Sequence, residues 1–282
     1  MAASAAKKND ELRQRAPDEL TGPKAKGSAK VGFKEFEVKL WITDWNATEI
    51  GVYQQARHRA KSRQFTKDMD IFAEVKEGGE RKQLIAYRKG LWEDNAGMAK
   101  RLVLKLFTDE MNWRATLDLL LGRSLQLTHG ARGFPVTAFS VNISGHDQIV
   151  QVERSSHKYP GVPENFSFFI LDDDGKPYFY RLKRNWVNLG DDYKLYDEHN
   201  EMVGKLNGKV LNLGGKWKVR LREDHADSRL ETVLTLFCGM LKFNEECRHH
   251  LEDLVDDMHD GRVIPKLEHN EAELYLNPRR VR

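Results

Sequence analysis

The chain has 282 residues and carries 46 Lys or Arg against 43 Asp or Glu, a formal net charge of +3. That length buries a sizeable core in one large domain or two ordinary ones, and so small a net charge gives no basis for holding nucleic acid through bulk electrostatics. Cys238 and Cys247 stand nine apart on what reads as one helix, facing different ways, so no disulfide is expected and a reducing compartment is.

Residues 1–30 are small, charged and polar, with Pro17, Gly22, Pro23, Gly27 and Ser28 among them. They cannot bury enough apolar surface to offset ordering entropy, so a disordered tail is expected. The opening MAASAAKKNDELRQR lacks the apolar run of a secretory signal. The expected location is the cytoplasm, free or peripheral to a membrane.

From Phe33 the pattern is that of strands. In FKEFEVKLW, Phe36, Val38 and Leu40 alternate with Glu35, Glu37 and Lys39, the signature of a half-buried strand. DIFAEVKEGGERKQLIAYRKG reads as a hairpin turning at Gly78-Gly79, and KRLVLKLF as a further strand. Thr108 followed by Asp109 and Glu110 then reads as a helix start, and Leu117, Leu120, Leu121 and Leu125 fall at helical spacing, predicting a helix at about 109–127. Strands resume in FPVTAFSVNI, DQIVQVERS and FSFFILDDDGKPYFYRLKR, with turns at Ser144-Gly145 and Asp174-Gly175.

Residues 193–221 continue as a regular ribbon turning at Gly214-Gly215, and the ribbon repeats what precedes it. A shift of 24 residues lays VNLGDDYKL (187–195) on LNLGGKWKV (211–219), pairing Arg181 with Lys205, Leu182 with Leu206, and Tyr193 with Trp217. Roughly a dozen short strands predict a closed antiparallel barrel, because closure removes exposed edges. Leu230 to Phe243 is apolar around nearly its whole circumference, which demands burial on every side. Its fourteen residues rise only about 21 Å, short of a bilayer's roughly 30 Å. The expectation is therefore a helix over 229–250 whose first half runs through the barrel, with Leu234, Leu236, Phe237, Met240 and Leu241 almost fully buried.

The segment FFILDDDGKPYFYRLKR…YKLYDEHNEMVGKLNGKVLNLGGKWKV with its apolar helix resembles the Tubby C-terminal-like superfamily, especially LURP-one-related proteins and phospholipid scramblases. His199-Asn200 stands where that pattern usually has a glycine turn. The resemblance covers about 134–255 and implies a twelve-stranded barrel around a central helix. It also implies recognition of anionic lipid headgroups, phosphoinositides included. The domain reading is a single barrel over 31–258, with 31–130 as a candidate N-terminal subdomain and 259–282 as a C-terminal tail.

Charge is distributed unevenly. Between Lys176 and Arg222 eleven bases face five acids, a net of +6, whereas Glu223 to Asp260 holds eleven acids against three bases, a net of −8. In KWKVRLR the apolar Trp217, Val219 and Leu221 alternate with Lys216, Lys218, Arg220 and Arg222, so one strand buries one face and displays four cations on the other. Lys205 and Lys209 share a face one strand earlier, and Arg181 and Lys183 do so in the preceding copy. These eight residues are the candidate anion-binding set; the competing reading is a solvated outer face.

Three acidic or thiol clusters fall short of metal sites. Asp172-Asp173-Asp174-Gly175 lacks the first ligand of a calcium loop and reads as a hairpin turn, and Asp256 to Gly261, with His259, has Met258 where a ligand belongs. Cys247, His249 and His250 have no second pair at finger spacing. Nucleophile, nucleotide and metalloprotease motifs are absent, so neither catalysis nor a cofactor is expected. The leading expectation is a non-enzymatic binding module facing anionic membrane lipid. The alternative is a protein-interaction scaffold working through 31–130, which predicts an exposed apolar patch around Trp41, Trp45 or Trp92.

Overall fold

The computed structural model describes residues 32–41, 64–132, 134–156, 164–185, 192–209 and 215–276. Contacts divide the chain into Met1–Gly32 and Phe33–Arg282; the tail expected over 1–30 lies outside the described residues. In the second unit twelve strands form one closed antiparallel barrel, each strand paired with its neighbours in sequence and β1 (Phe33–Leu40) closing the ring against β12 (Lys216–Arg222). The hairpin of β2 (Met69–Glu77) and β3 (Glu80–Arg88) turns through Gly78 and Gly79, with φ of 61° and 90°, which a side chain would resist.

Of the helix expected at 109–127, only the part from Leu121 onward is helical. Thr108 does not cap a helix: it ends β4 (Val103–Thr108), and a tight turn with Met111 at φ 65° leads into β5 (Trp113–Leu119). Ala115, Leu117 and Leu119 are buried in the core, while Arg114, Thr116 and Asp118 lie on the opposite face, Arg114 exposed and the other two partly covered. The stretch satisfies both periods, and pairing of β5 with β4 on one side and β6 (Ala138–Ile143) on the other settles it as strand. Only the end of the leucine run is helical, and it lies in α2 (Leu121–Gly130), which follows the four-residue α1 (Lys89–Trp92).

The remaining strands are β7 (Ile149–Arg154), β8 (Asn165–Leu171), β9 (Pro177–Arg184), β10 (Tyr193–Tyr196) and β11 (Met202–Lys209). The 24-residue repeat is thereby a repeated hairpin, β9–β10 followed by β11–β12, although 187–191 and 210–214 lie outside the described residues. Asn200 takes the left-handed conformation, φ 63°, in place of the glycine that the resemblance calls for. Gly208 faces Trp217, and a Cβ there would meet the indole ring at 3.0 Å.

The apolar helix is α3 (Ser228–Leu241), and residues 233–240 are all buried. Phe237 stacks edge-on against Phe166 of β8 and Tyr193 of β10 at 5.0 and 5.3 Å, and Gly239 lies against Phe72 of β2 and Ile85 of β3. Leu241 is only partly buried, unlike the other four core positions expected there. Nor is 229–250 one helix: it breaks at Lys242-Phe243 before α4 (Asn244–His259). Phe243 is anchored among Phe72, Tyr87 and Trp92 at 5.2–6.2 Å, and the Asn244 side chain donates to Glu164. These contacts turn the chain without any glycine or proline to signal it. A short α5 (His269–Leu276) follows within the segment read as a tail, and its buried Glu271 accepts hydrogen bonds from the Gly122 and Arg123 amides at the start of α2.

Leu234→Ala should lower unfolding free energy by about 2–5 kcal/mol and Phe237→Ala by about 3–5, read from urea denaturation, since both delete fully buried side chains. The pH dependence has a separate marker. Burial pushes the Asp118 carboxyl up to about 6, with Arg101 Nε at 3.0 Å opposing. A carboxyl raised in the folded state contributes its full stabilisation below about pH 4 and loses it as pH rises through about 6. Asp118→Asn should therefore shrink the fall in urea midpoint between pH 4 and pH 7.

Candidate functional site

The register of β9 to β12 decides what the basic residues can do. Lys183 lies opposite Lys194, Lys194 opposite Lys205, and Lys205 opposite Arg220. Four cations thus form one row across four adjacent strands, and their flanking neighbours Leu182, Leu195, Leu206 and Val219 are buried on the other face. Like charges placed directly opposite one another cost stability. Beyond Arg220 the row meets Glu35 of β1, where the sign changes.

That boundary separates two kinds of cation. Lys218 and Arg220 both reach Glu35, at 2.6 and 2.7 Å; Lys216 reaches Glu37 at 2.7 Å; Arg222 is held by Asp224 and Glu201. The hydrogen bond from Lys218, with Arg220 beside it, holds the Glu35 carboxyl below its usual range. The β12 cations that looked most prominent in the sequence are therefore largely balanced by the barrel seam. Lys194 and Lys205 have no carboxylate partner among the described residues. Lys183 lies over the Tyr196 ring at 4.7 Å, and both it and Arg181 donate to the Asn200 side-chain oxygen. Lys209 ends β11 opposite Lys216, and its side chain lies outside the described residues.

Lys194 was missing from the candidate set, yet the repeat carries its signal: the shift that pairs Tyr193 with Trp217 pairs Lys194 with Lys218. Further along these strands and on the flanking β8 and β1, the surface changes character. Phe169 and Phe179 face each other across β8 and β9, Met202 pairs with Tyr196, and Phe33 lies beneath the Arg220 guanidinium at 4.8 Å. All but Tyr196 are exposed large apolar side chains. The geometry is a cationic row bordered by exposed apolar groups.

The other candidates resolve into structure. Asp172 accepts from the amides of Asp174 and Lys176 in a tight turn with Gly175 at φ 79°, and Arg229 ties Asp173 to Asp227, the N-cap of α3. Asp257 and Asp260 are held by Arg262. Cys238 and Cys247 are buried free thiols whose ionisation burial pushes up, and His250 Nε2 lies 3.2 Å from the Lys100 carbonyl. Among the described residues no three His, Cys, Asp or Glu are grouped to hold a metal, and no helix is long and apolar enough to cross a membrane. The apolar patch expected around the tryptophans is not formed by Trp41 or Trp92, which are both buried in cores; Trp45 lies outside the described residues.

No protein-family model, curated protein or solved structure matches this chain. If the cation row is strained by like charge, Lys194→Glu should raise stability by about 0.2–1 kcal/mol at low salt. The gain should shrink as added salt screens the row, which urea midpoints at two ionic strengths would register.

Proposed function

We propose that this chain is a non-enzymatic, Tubby-like binding module that docks on anionic phospholipid surfaces through the outer face of β9–β12. The carrying observation is the row Lys183, Lys194, Lys205 and Arg220, whose middle members have no carboxylate partner among the described residues. A row of that kind destabilises the free protein and is relieved by phosphate oxygens, which take charge-assisted hydrogen bonds from several amines at once. The neighbouring Phe169, Phe179, Met202 and Phe33 suit the same partner, since apolar side chains beside cations enter the headgroup boundary of a bilayer.

The Tubby-like reading rests on the architecture. Twelve antiparallel strands close into one barrel, and α3, buried throughout residues 233–240, touches β2, β3, β8 and β10 from that short segment. A barrel wrapped around α3 accounts for those contacts together. It also keeps the inner side chains of β9–β12 fixed on the core, so the outward row is held on a rigid wall.

Sedimentation with phosphatidylserine-containing vesicles tests the lipid reading. Each basic residue near an anionic leaflet contributes about 1 kcal/mol, so changing Lys183, Lys194 and Lys205 together to Gln should weaken association by about two decades at low salt. Changing Lys216, Lys218, Arg220 and Arg222 to Gln should weaken it less per residue, because Glu35, Glu37, Glu201 and Asp224 already screen them. Equal sedimentation of the triple variant and the parent, or none by the parent, would overturn the proposal.

A further inference from the structure

A cavity of about 380 Å³ lies away from the cation row, between the tips of the β2–β3, β4–β5 and β6–β7 hairpins and the first two turns of α3. Its size is that of a small-molecule pocket rather than a packing defect. Phe36, Val75 and Ile143, all buried, give it an apolar floor, and the buried Thr235 adds a polar side chain from α3. Glu77, Lys82, Arg114, His146 and Glu231 stand around it.

The charges of this lining are not equivalent. Lys34, outside the cavity, reaches Glu231 at 2.8 Å and Glu77 at 3.7 Å, so both acids already have a cation; the Glu231 bond in turn raises the Lys34 ammonium above its usual range. Lys82 is engaged by Glu80 at 2.7 Å. Arg114 is the charged lining residue left without an opposite charge among the described residues, and His146 beside it also has none. A cation entering the cavity would compete with Lys34 for acids already satisfied. An anion meets a free guanidinium, whose planar fork matches a carboxylate.

We infer that this cavity binds a small organic carboxylate with an apolar tail, the carboxylate on Arg114 with His146 beside it, and the tail on Phe36, Val75 and Ile143. The site is separate from the lipid-facing row, on β1–β7 and α3 rather than β9–β12, and does not depend on it.

Calorimetric titration of the full chain with octanoate, octylamine and 1-octanol tests the inference, with the same tail carrying three heads. Octanoate should bind once per chain, at least tenfold more tightly than either of the others. Arg114→Gln should weaken octanoate about tenfold or more through loss of the charge-assisted bonds. Ser144→Trp, which places a large side chain at an exposed lining position, should block uptake; both substitutions lie at exposed positions where the fold tolerates change. The Lys183, Lys194 and Lys205 triple Gln variant should bind octanoate like the parent. No octanoate binding by the parent, equal binding of octanol, or parental affinity in both Arg114→Gln and Ser144→Trp would overturn the inference. Loss of octanoate in the triple variant with retention in Arg114→Gln would move the site to the cation row and overturn it equally.

Discussion

Everything on the outer surface of this protein follows from the pairing of β1 with β12. Phe33 to Lys39 lie opposite Arg222 to Lys216, joining the first and last strands of the ring so that no edge remains open. Closure fixes which residues of each strand face the core, because a one-residue slip would turn Phe36 and Val38 outward. It also brings the acids of one end of the unit against the bases of the other. Glu35 and Glu37 meet Lys216, Lys218 and Arg220 only because the ring is shut.

The seam thus divides one basic ribbon into two parts with different physics. Along β12 each cation has a carboxylate within ion-pair distance, and exposed pairs of this kind contribute little to stability while removing most of the local field. On the next two strands, Lys205 and Lys194 face other cations and have no carboxylate partner among the described residues. The cost of that crowding is small beside the burial of Leu195, Leu206, Val219 and their neighbours. A surface feature that costs little and a fold that depends on the opposite face are compatible, which is how a binding surface persists on a barrel wall.

Much was legible in the primary structure because strand alternation and all-round apolarity are local signals. Phe36, Val38 and Leu40 against Glu35, Glu37 and Lys39 place a strand without further information, as do Trp217, Val219 and Leu221 against the four cations of β12. The apolar circumference of Leu230 to Phe243 by itself requires burial, and the 24-residue repeat by itself predicts equivalent strand pairs. Where two periods fitted the same letters, the local signal failed. Residues 109–127 read as helix on leucine spacing, and only hydrogen bonding to β4 and β6 made 113–119 a strand.

What the tertiary structure alone decided are the relations between residues distant in the chain. The break between α3 and α4 comes from Phe243 seated among Phe72, Tyr87 and Trp92, not from any breaker at 242–243. The candidate site was legible as a list of bases, but not as to which of them are free. Electrostatic pairing depends on distance in space, and Glu35 is 183 positions from Lys218 in the chain yet 2.6 Å from it in the barrel. Amino-acid order determined that the wall would be basic on its outer face. Barrel closure determined that Glu35 and Glu37 balance the β12 side of that wall, while on β9–β11 strand register sets Lys183, Lys194 and Lys205 side by side with no carboxylate partner among the described residues.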